Sequence, residues 1–322
     1  MKLWQKANQP PSPKKDSFFK KILQKNSWVP LFFLGPWLVV FFLFQLYPIG
    51  YSLFIAFTDL KALSITTAKW VGLDNFLTLF KSSEFLNGLK ISFYFVIGTV
   101  PITLALAIGV SFLLRKKIAF RQFYQFAFFA PSVISVLVIA NLFSEIYSEN
   151  GLLNDFLVGL GLRPILLLKS THFALLAVMM MNIWASFGFY ALLFLAQLQN
   201  IPQEYYEIAE LEGHSALQQA IFISLPLLMP MVKVAFLLNS ILAFQVFGEI
   251  YVLTKGGPVQ STQTAVFYIF DKAFSEQKLG LASAAAYFVF LILVGVSFFT
   301  QLKNPQLKNA WLWLKRAKNL PS

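Results

Sequence analysis

The chain has 322 residues, 57% apolar and 12% charged, with a formal charge of +12 and a mean hydropathy of +0.66. Ordinary soluble domains carry about twice that share of charge, so a water-soluble globular domain is excluded. There is no cysteine, which excludes disulfides, thiolate metal sites and a catalytic thiol.

Residues 1–27 form a basic tail containing Pro10-Pro11-Ser12-Pro13, with no core of its own. Six apolar runs follow, at 29–57, 89–114, 123–147, 172–198, 227–253 and 281–302. Each reaches the roughly 18–20 residues that a helix needs to cross a bilayer. The first is too long for the apolar region of a signal peptide and has no small-residue cleavage pattern after it, so it reads as a retained anchor. Pro36 and Pro48 predict kinks within it.

Between the first two spans, the segment at about 58–88 is polar, and Trp70 to Phe76 is expected to form a brief surface helix. After the third span, the apolar stretch from Phe156 to Leu168 is interrupted by Arg163-Pro164 and is too short to cross. Lys255-Gly256-Gly257-Pro258 signals a turn, and Ala265 to Phe270 is expected to lie as an interfacial helix. Gly98, Gly109, Gly280 and the run Ala284-Ala285-Ala286 offer small surfaces for close helix contact. A second basic tail occupies 304–322, which leaves 28–303 as the membrane domain.

Lysine and arginine set the orientation of the spans. Sixteen fall in the N-terminal tail, the loop at 115–121 and the C-terminal end, against eight on the opposite side. Both termini are therefore expected in the cytoplasm, as an even number of spans requires. The basic excess reports on topology and on anionic lipid, because these charges flank apolar spans; nucleic acid is not the expected partner.

The cytoplasmic loop between spans four and five, at about 200–226, breaks the pattern. Its segment Glu204 to Gly213 holds four glutamates and no lysine or arginine. Pro202 suits a helix start, Glu204 and Glu207 suit the positive end of the helix dipole, and Gly213 suits its termination. Tyr205, Ile208 and Leu211, with Ala209, mark an apolar face opposite the glutamates. Lipid-bound amphipathic helices prefer basic polar faces, so the acidic face points to a groove on a protein partner.

The run Tyr206 to Gly213, followed by Ile223-Ser224-Leu225-Pro226, resembles the EAA loop of binding-protein-dependent ABC importer permeases, most closely the carbohydrate-uptake group of maltose and glycerol-phosphate type. The likeness continues in order through Tyr47-Pro48 to Phe57-Thr58-Asp59, Val71 to Phe76, Leu198 to Pro202, and Phe244 to Phe247 with Gly256-Gly257-Pro258. It implies an all-α integral membrane protein, a six-helix transmembrane bundle of the type I ABC importer permease kind. It also implies a second related permease, a dimer of ATPase subunits holding ATP and Mg²⁺, and an extracytoplasmic solute-binding protein. No cofactor is implied for this chain. By the same resemblance, Glu207, Ala209 and Gly213 would couple to the ATPase. Ile208 stands where the signature has its second alanine, and Gln218, Gln219 and Ala220 stand where basic residues are usual.

Span five has the most polar residues near mid-membrane, and such groups usually face a bundle interior or cavity. Asn239, Leu242, Ala243 and Val246 form one stripe at helical spacing. The resemblance places them, with Ser186 and Phe189 of span four, on the substrate pathway. Helix packing explains Leu242, Ala243 and Val246 equally well. Gln245 and Glu249 lie four apart on a neighbouring face and are candidates for pairing with the partner permease.

No P-loop occurs, so ATP hydrolysis would belong to another polypeptide. The chain itself is expected to be a transport subunit and not an enzyme. A membrane-embedded enzyme would need a catalytic cluster, and a secondary transporter would need midplane ionisable groups or inverted repeats; neither pattern is visible.

Overall fold

A computed structural model of the protein describes residues 28–61, 68–116 and 118–302. The two basic tails expected at 1–27 and 304–322 lie outside the described residues. The chain divides into two compact units, Met1–Phe54 and Ile55–Ser322.

The described part of the first unit is one membrane-length helix. Its segments are α1 (Trp28–Phe41), a π-helical turn (Phe42–Leu46) and α2 (Tyr47–Ile55). The π turn has a chemical cause in Pro48, which offers no N–H to the preceding turn. Widening the helix just before it lets the Tyr47 N–H bond back to the Phe42 carbonyl. The same device recurs in the second unit, where a π turn at Ala220–Ser224 comes just before Pro226.

The second unit is all helix, with no strand among its described residues and one isolated bridge between Thr58 and Trp70. In chain order its helices are α3 (Asp74–Lys81), α4 (Ser83–Arg115), α5 (Arg121–Val133), α6 (Val136–Ile146), α7 (Leu152–Gly159) and α8 (Ala174–Gln199). They are followed by α9 (Glu204–Leu211), α10 (Ala216–Gln219), α11 (Leu225–Phe244), α12 (Gly248–Leu253), α13 (Ala265–Phe270) and α14 (Leu279–Leu302). Over the two units, five helical segments are long and apolar enough to cross a membrane, and the bent pair α5–α6 makes six.

Four expectations are revised. The third span is two helices that meet at 98°, because Ile134 and Ser135 are extended just after Pro131. The fifth span is also discontinuous: α11 ends at Phe244 and the chain resumes as α12 at Gly248. The polar segment at 58–88 is shorter than expected, since α4 already begins at Ser83, capped by the Ser82 hydroxyl. Finally, α13 does not lie free on the surface. Ala265 and Tyr268 are buried, and the Ala265 N–H donates to Ser92 Oγ of α4 at 3.0 Å.

Lipid tails are as apolar as leucine, so membrane helices associate through close packing and hydrogen bonds. The central seam runs between α4 and α8, where Phe95, Leu104, Val178, Met181 and Phe194 interlock with Leu228 and Ala235 of α11. A second cluster joins Leu79, Phe85 and Tyr268 to Ala284 and Ala285 of α14. Two glycines permit crossings that no Cβ would. A Cβ at Gly280 would lie 2.0 Å from the Thr58 carbonyl oxygen, and one at Gly188 would lie 1.7 Å from that of Phe128. At Gly98 a Cβ would meet Met179 Sδ at 2.8 Å, whereas at Gly109 it would meet nothing within 4 Å.

At the end of the bundle where α4 begins, Lys272 is nearly buried and donates to Glu84 at 2.7 Å and to Glu276. Gln263 Nε2 donates to the other oxygen of Glu84 at 2.9 Å, and Lys278 pairs with Glu276 at 2.6 Å. Burial lowers the pKa of the Lys272 ammonium, but hydrogen bonds to Glu276 and Glu84 outweigh it and the net shift is upward. The hydrogen bond from Lys272 holds Glu276 below its ordinary value.

Candidate coupling loop and translocation cavity

The acidic loop folds as α9, shorter than its predicted extent of Pro202 to Glu212. Its C-terminus closes as a Schellman motif: the His214 N–H reaches the Ala209 carbonyl at 2.9 Å and the Gly213 N–H reaches Glu210 at 3.0 Å. Gly213 has φ +79° with open space around it, so glycine is required there by backbone conformation and not by a close neighbour within this chain.

The helix is pinned by Tyr206, which periodicity did not single out, together with Ala209, which it did. Tyr206 and Ala209 are buried, whereas Tyr205, Ile208 and Leu211 are exposed, Leu211 at 90%. Tyr206 has two anchors. Its hydroxyl lies 2.8 Å from Ser224 Oγ in the turn leading into α11, and the Arg115 guanidinium ending α4 sits 3.7 Å from its ring centroid. Glu207 is exposed, and among the described residues no ion pair holds Glu204, Glu207 or Glu210. The outward surface therefore combines unpaired carboxylates with apolar side chains, and it stands beside the last turn of one long helix and the first turn of another.

A cavity of about 280 Å³ opens where α11 breaks. Of the pathway candidates, Ser186, Asn239, Leu242, Ala243 and Val246 line it, and Phe189 does not; its ring stacks edge-on against Tyr190 at 5.2 Å. Val246 belongs to the non-helical link between α11 and α12 and so is not on a continuous stripe. Irregular backbone is tolerated at membrane depth where it lines a cavity or is buried in protein. Here the Val246 carbonyl accepts from Thr264 Oγ1 at 3.0 Å.

Asn182, Tyr190 and Glu249 also line the cavity and were not predicted to do so. Asn182 precedes Ser186 by one helical turn, a spacing that was legible. Its Nδ2 donates to Glu249 Oε1 at 2.8 Å, so Glu249 has a partner within its own chain and not only, as expected, a candidate one across an interface. Asn239 is 5% exposed and its Nδ2 has no hydrogen-bond partner.

A bundle of membrane-length helices with a cavity at a broken helix, and an exposed amphipathic helix at one end, fits a solute-translocating membrane subunit. Comparison with known proteins agrees. The family described as "Binding-protein-dependent transport system inner membrane component" matches residues 100–309, and the chain belongs to that family. It is a transport subunit and not an enzyme.

A probable ABC transporter permease of Bacillus subtilis (YesP) is 33% identical over 85% of this chain and 89% of its own length. The diacetylchitobiose uptake permease of Streptomyces coelicolor is 33% identical over 79% of this chain and 76% of its own. The arabinooligosaccharide transport permease of Bacillus subtilis is 28% identical over 90% and 93%. Among solved structures, a bacterial ABC transporter that imports the acidic polysaccharide alginate shares the fold. Its TM-score is 0.76 at 21% identity, covering 89% of this chain and 99% of that one.

Proposed function

We propose that the chain is the permease subunit of an ATP-driven importer that moves a sugar or oligosaccharide across the cytoplasmic membrane, with both termini in the cytoplasm. Its partners are a second, related permease, a dimer of ATPase subunits that bind ATP and Mg²⁺, and an extracytoplasmic solute-binding protein. The names of the relatives support a saccharide as cargo. A solved neighbour in complex with a pentasaccharide-bound periplasmic protein supports the last partner. Those proteins handle both neutral and acidic saccharides, so fold and family leave the charge of the cargo open.

One observation carries the coupling assignment: α9 exposes Glu207 and the apolar Tyr205, Ile208 and Leu211 while Tyr206 fastens it to two spans at once. A cleft in an ATPase that grips this surface and moves displaces the Arg115 end of α4 and the Ser224 end of α11 together. Ala209, buried against the chain, keeps the helix close to the bundle. The pathway assignment of Ser186, Asn239, Leu242, Ala243 and Val246 follows from their shared cavity; Phe189 would contribute only through rearrangement. The test is Glu207→Lys in the complete importer. ATP-dependent uptake of a labelled neutral oligosaccharide should fall at least about tenfold while assembly and insertion persist. Undiminished uptake removes the coupling assignment.

A further inference from the structure

We propose that the cavity discriminates by charge. Glu249 makes it a site for neutral or amine-bearing saccharides and excludes sugars that carry carboxylate, phosphate or sulfate groups. The inference deepens the sugar-importer reading and rests on it.

Among the described residues, Glu249 is the only charged side chain lining the cavity. It is 7% exposed, and its carboxylate accepts from the neutral amide of Asn182. Partial desolvation strengthens electrostatic interactions with whatever enters, and a cleft lined by one sign of charge focuses its field on the solute. Asn239, on the same lining, is 5% exposed and its Nδ2 is enclosed, so it sets no positive group against Glu249. A sugar hydroxyl entering the cavity can donate to Glu249, and an ammonium satisfies it more strongly. A uronate or phosphate sets like charge against like. A glycerol-phosphate-type solute, to which the resemblance to that permease group also points, is thereby disfavoured.

The absence of cysteine from the chain allows a direct test. In the complete importer, purified with its partner subunits, a single cysteine is placed in the cavity as Leu242→Cys, or as Ser186→Cys should the first fail to assemble. Each thiolate is reacted with a trimethylammonium-bearing and a sulfonate-bearing methanethiosulfonate of matched size. It attacks the reagent's sulfenyl sulfur, forming a mixed disulfide and releasing methanesulfinate, and the mass of this chain gives the rate.

Relative to a free thiol, the cationic-to-anionic rate ratio should rise at least about tenfold at low salt. It should fall to within about twofold of the free-thiol value when Glu249→Gln is added, and be retained with Glu249→Asp. A ratio that matches the free thiol, or that ignores Glu249→Gln, overturns the charge proposal while leaving the sugar reading intact; a cation from the second permease neutralising Glu249 would give that result. Failure of the unmodified importer to take up any neutral oligosaccharide, with the rate ratio still high, overturns the sugar reading instead.

Discussion

Replacing Lys272 by methionine removes one charge from the network at the α4 N-terminus while keeping much of the side-chain length. The ammonium lies 2.7 Å from Glu84 and also contacts Glu276; the side chains of the three residues are 9%, 25% and 33% exposed. Breaking a fully buried pair costs about 3–5 kcal/mol because the abandoned charge stays buried. Here both glutamates keep partial access to water, and Glu276 retains Lys278, which reduces the expected loss to about 2–3 kcal/mol. For a domain of this size, that is about 5–10 °C in the unfolding midpoint, readable from tryptophan fluorescence of the purified importer. Adding Glu84→Gln should restore about 1 kcal/mol by removing the stranded carboxylate. A Lys272→Met midpoint within about 1 °C of the parent, or strict additivity in the double variant, would refute the reasoning.

The same network fixes a pH dependence. Glu276 is held below its ordinary 4.5, so its contribution is present above that value and is lost as pH falls through the depressed one. Lys272 is shifted above 10.5; its contribution is complete below that pH and disappears only as pH rises through the raised value. A midpoint scan should therefore decline more steeply below about pH 4.5 in the parent than in Lys272→Met, in which Glu276 loses the larger of the two hydrogen bonds that depress it and keeps that from Lys278. Gly188→Ala should destabilise by at least about 2 kcal/mol, although alanine normally gains about 1 over glycine within a helix; a raised midpoint would show that α5 and α8 part freely. Gly213→Ala should cost about 1–2 kcal/mol through its left-handed backbone, with slower uptake as α9 frays. Tyr206→Phe strands the buried Ser224 hydroxyl and should cost about 1 kcal/mol, most of it recovered by adding Ser224→Ala; thermal midpoints of the two variants decide.

Which parts of this fold were legible follows from which signals are local. Membrane-length helices depend on composition over one turn after another, so the five long segments and the bent pair α5–α6 were all found, and Gly280 with Ala284 and Ala285 stood out as small residues in a large-residue helix. Gly188 did not stand out, because Phe187 and Phe189 flank it and the Phe128 carbonyl that demands it lies on another helix. On α9, periodicity marked Tyr205, Ile208, Leu211 and Ala209 as one face, and the structure splits it, burying Ala209 with Tyr206 and exposing the other three. Which face turns inward is decided by Ser224 and Arg115, whose approach to Tyr206 no local pattern contains. Asn239 was found as a polar group in an apolar helix, and Ser186 through the family resemblance alone. Val246 was placed on a stripe that does not exist as such, since the break after Phe244 is held open by Thr264, a residue of a different loop.

The helix from Ser83 to Arg115 runs unbroken for 33 residues, or about 50 Å at 1.5 Å per residue. One tip is moored at Glu84 among the charges around Lys272, and the other presses on Tyr206. A beam fastened in this way acts as a lever: a tilt of about 5° at the moored tip sweeps the far tip by roughly 4 Å, by the length just given. The two ends of α4 are thus joined by one continuous helix with Pro101 inside it, and a small stroke at one end is carried to the other along the backbone without a relay of side chains.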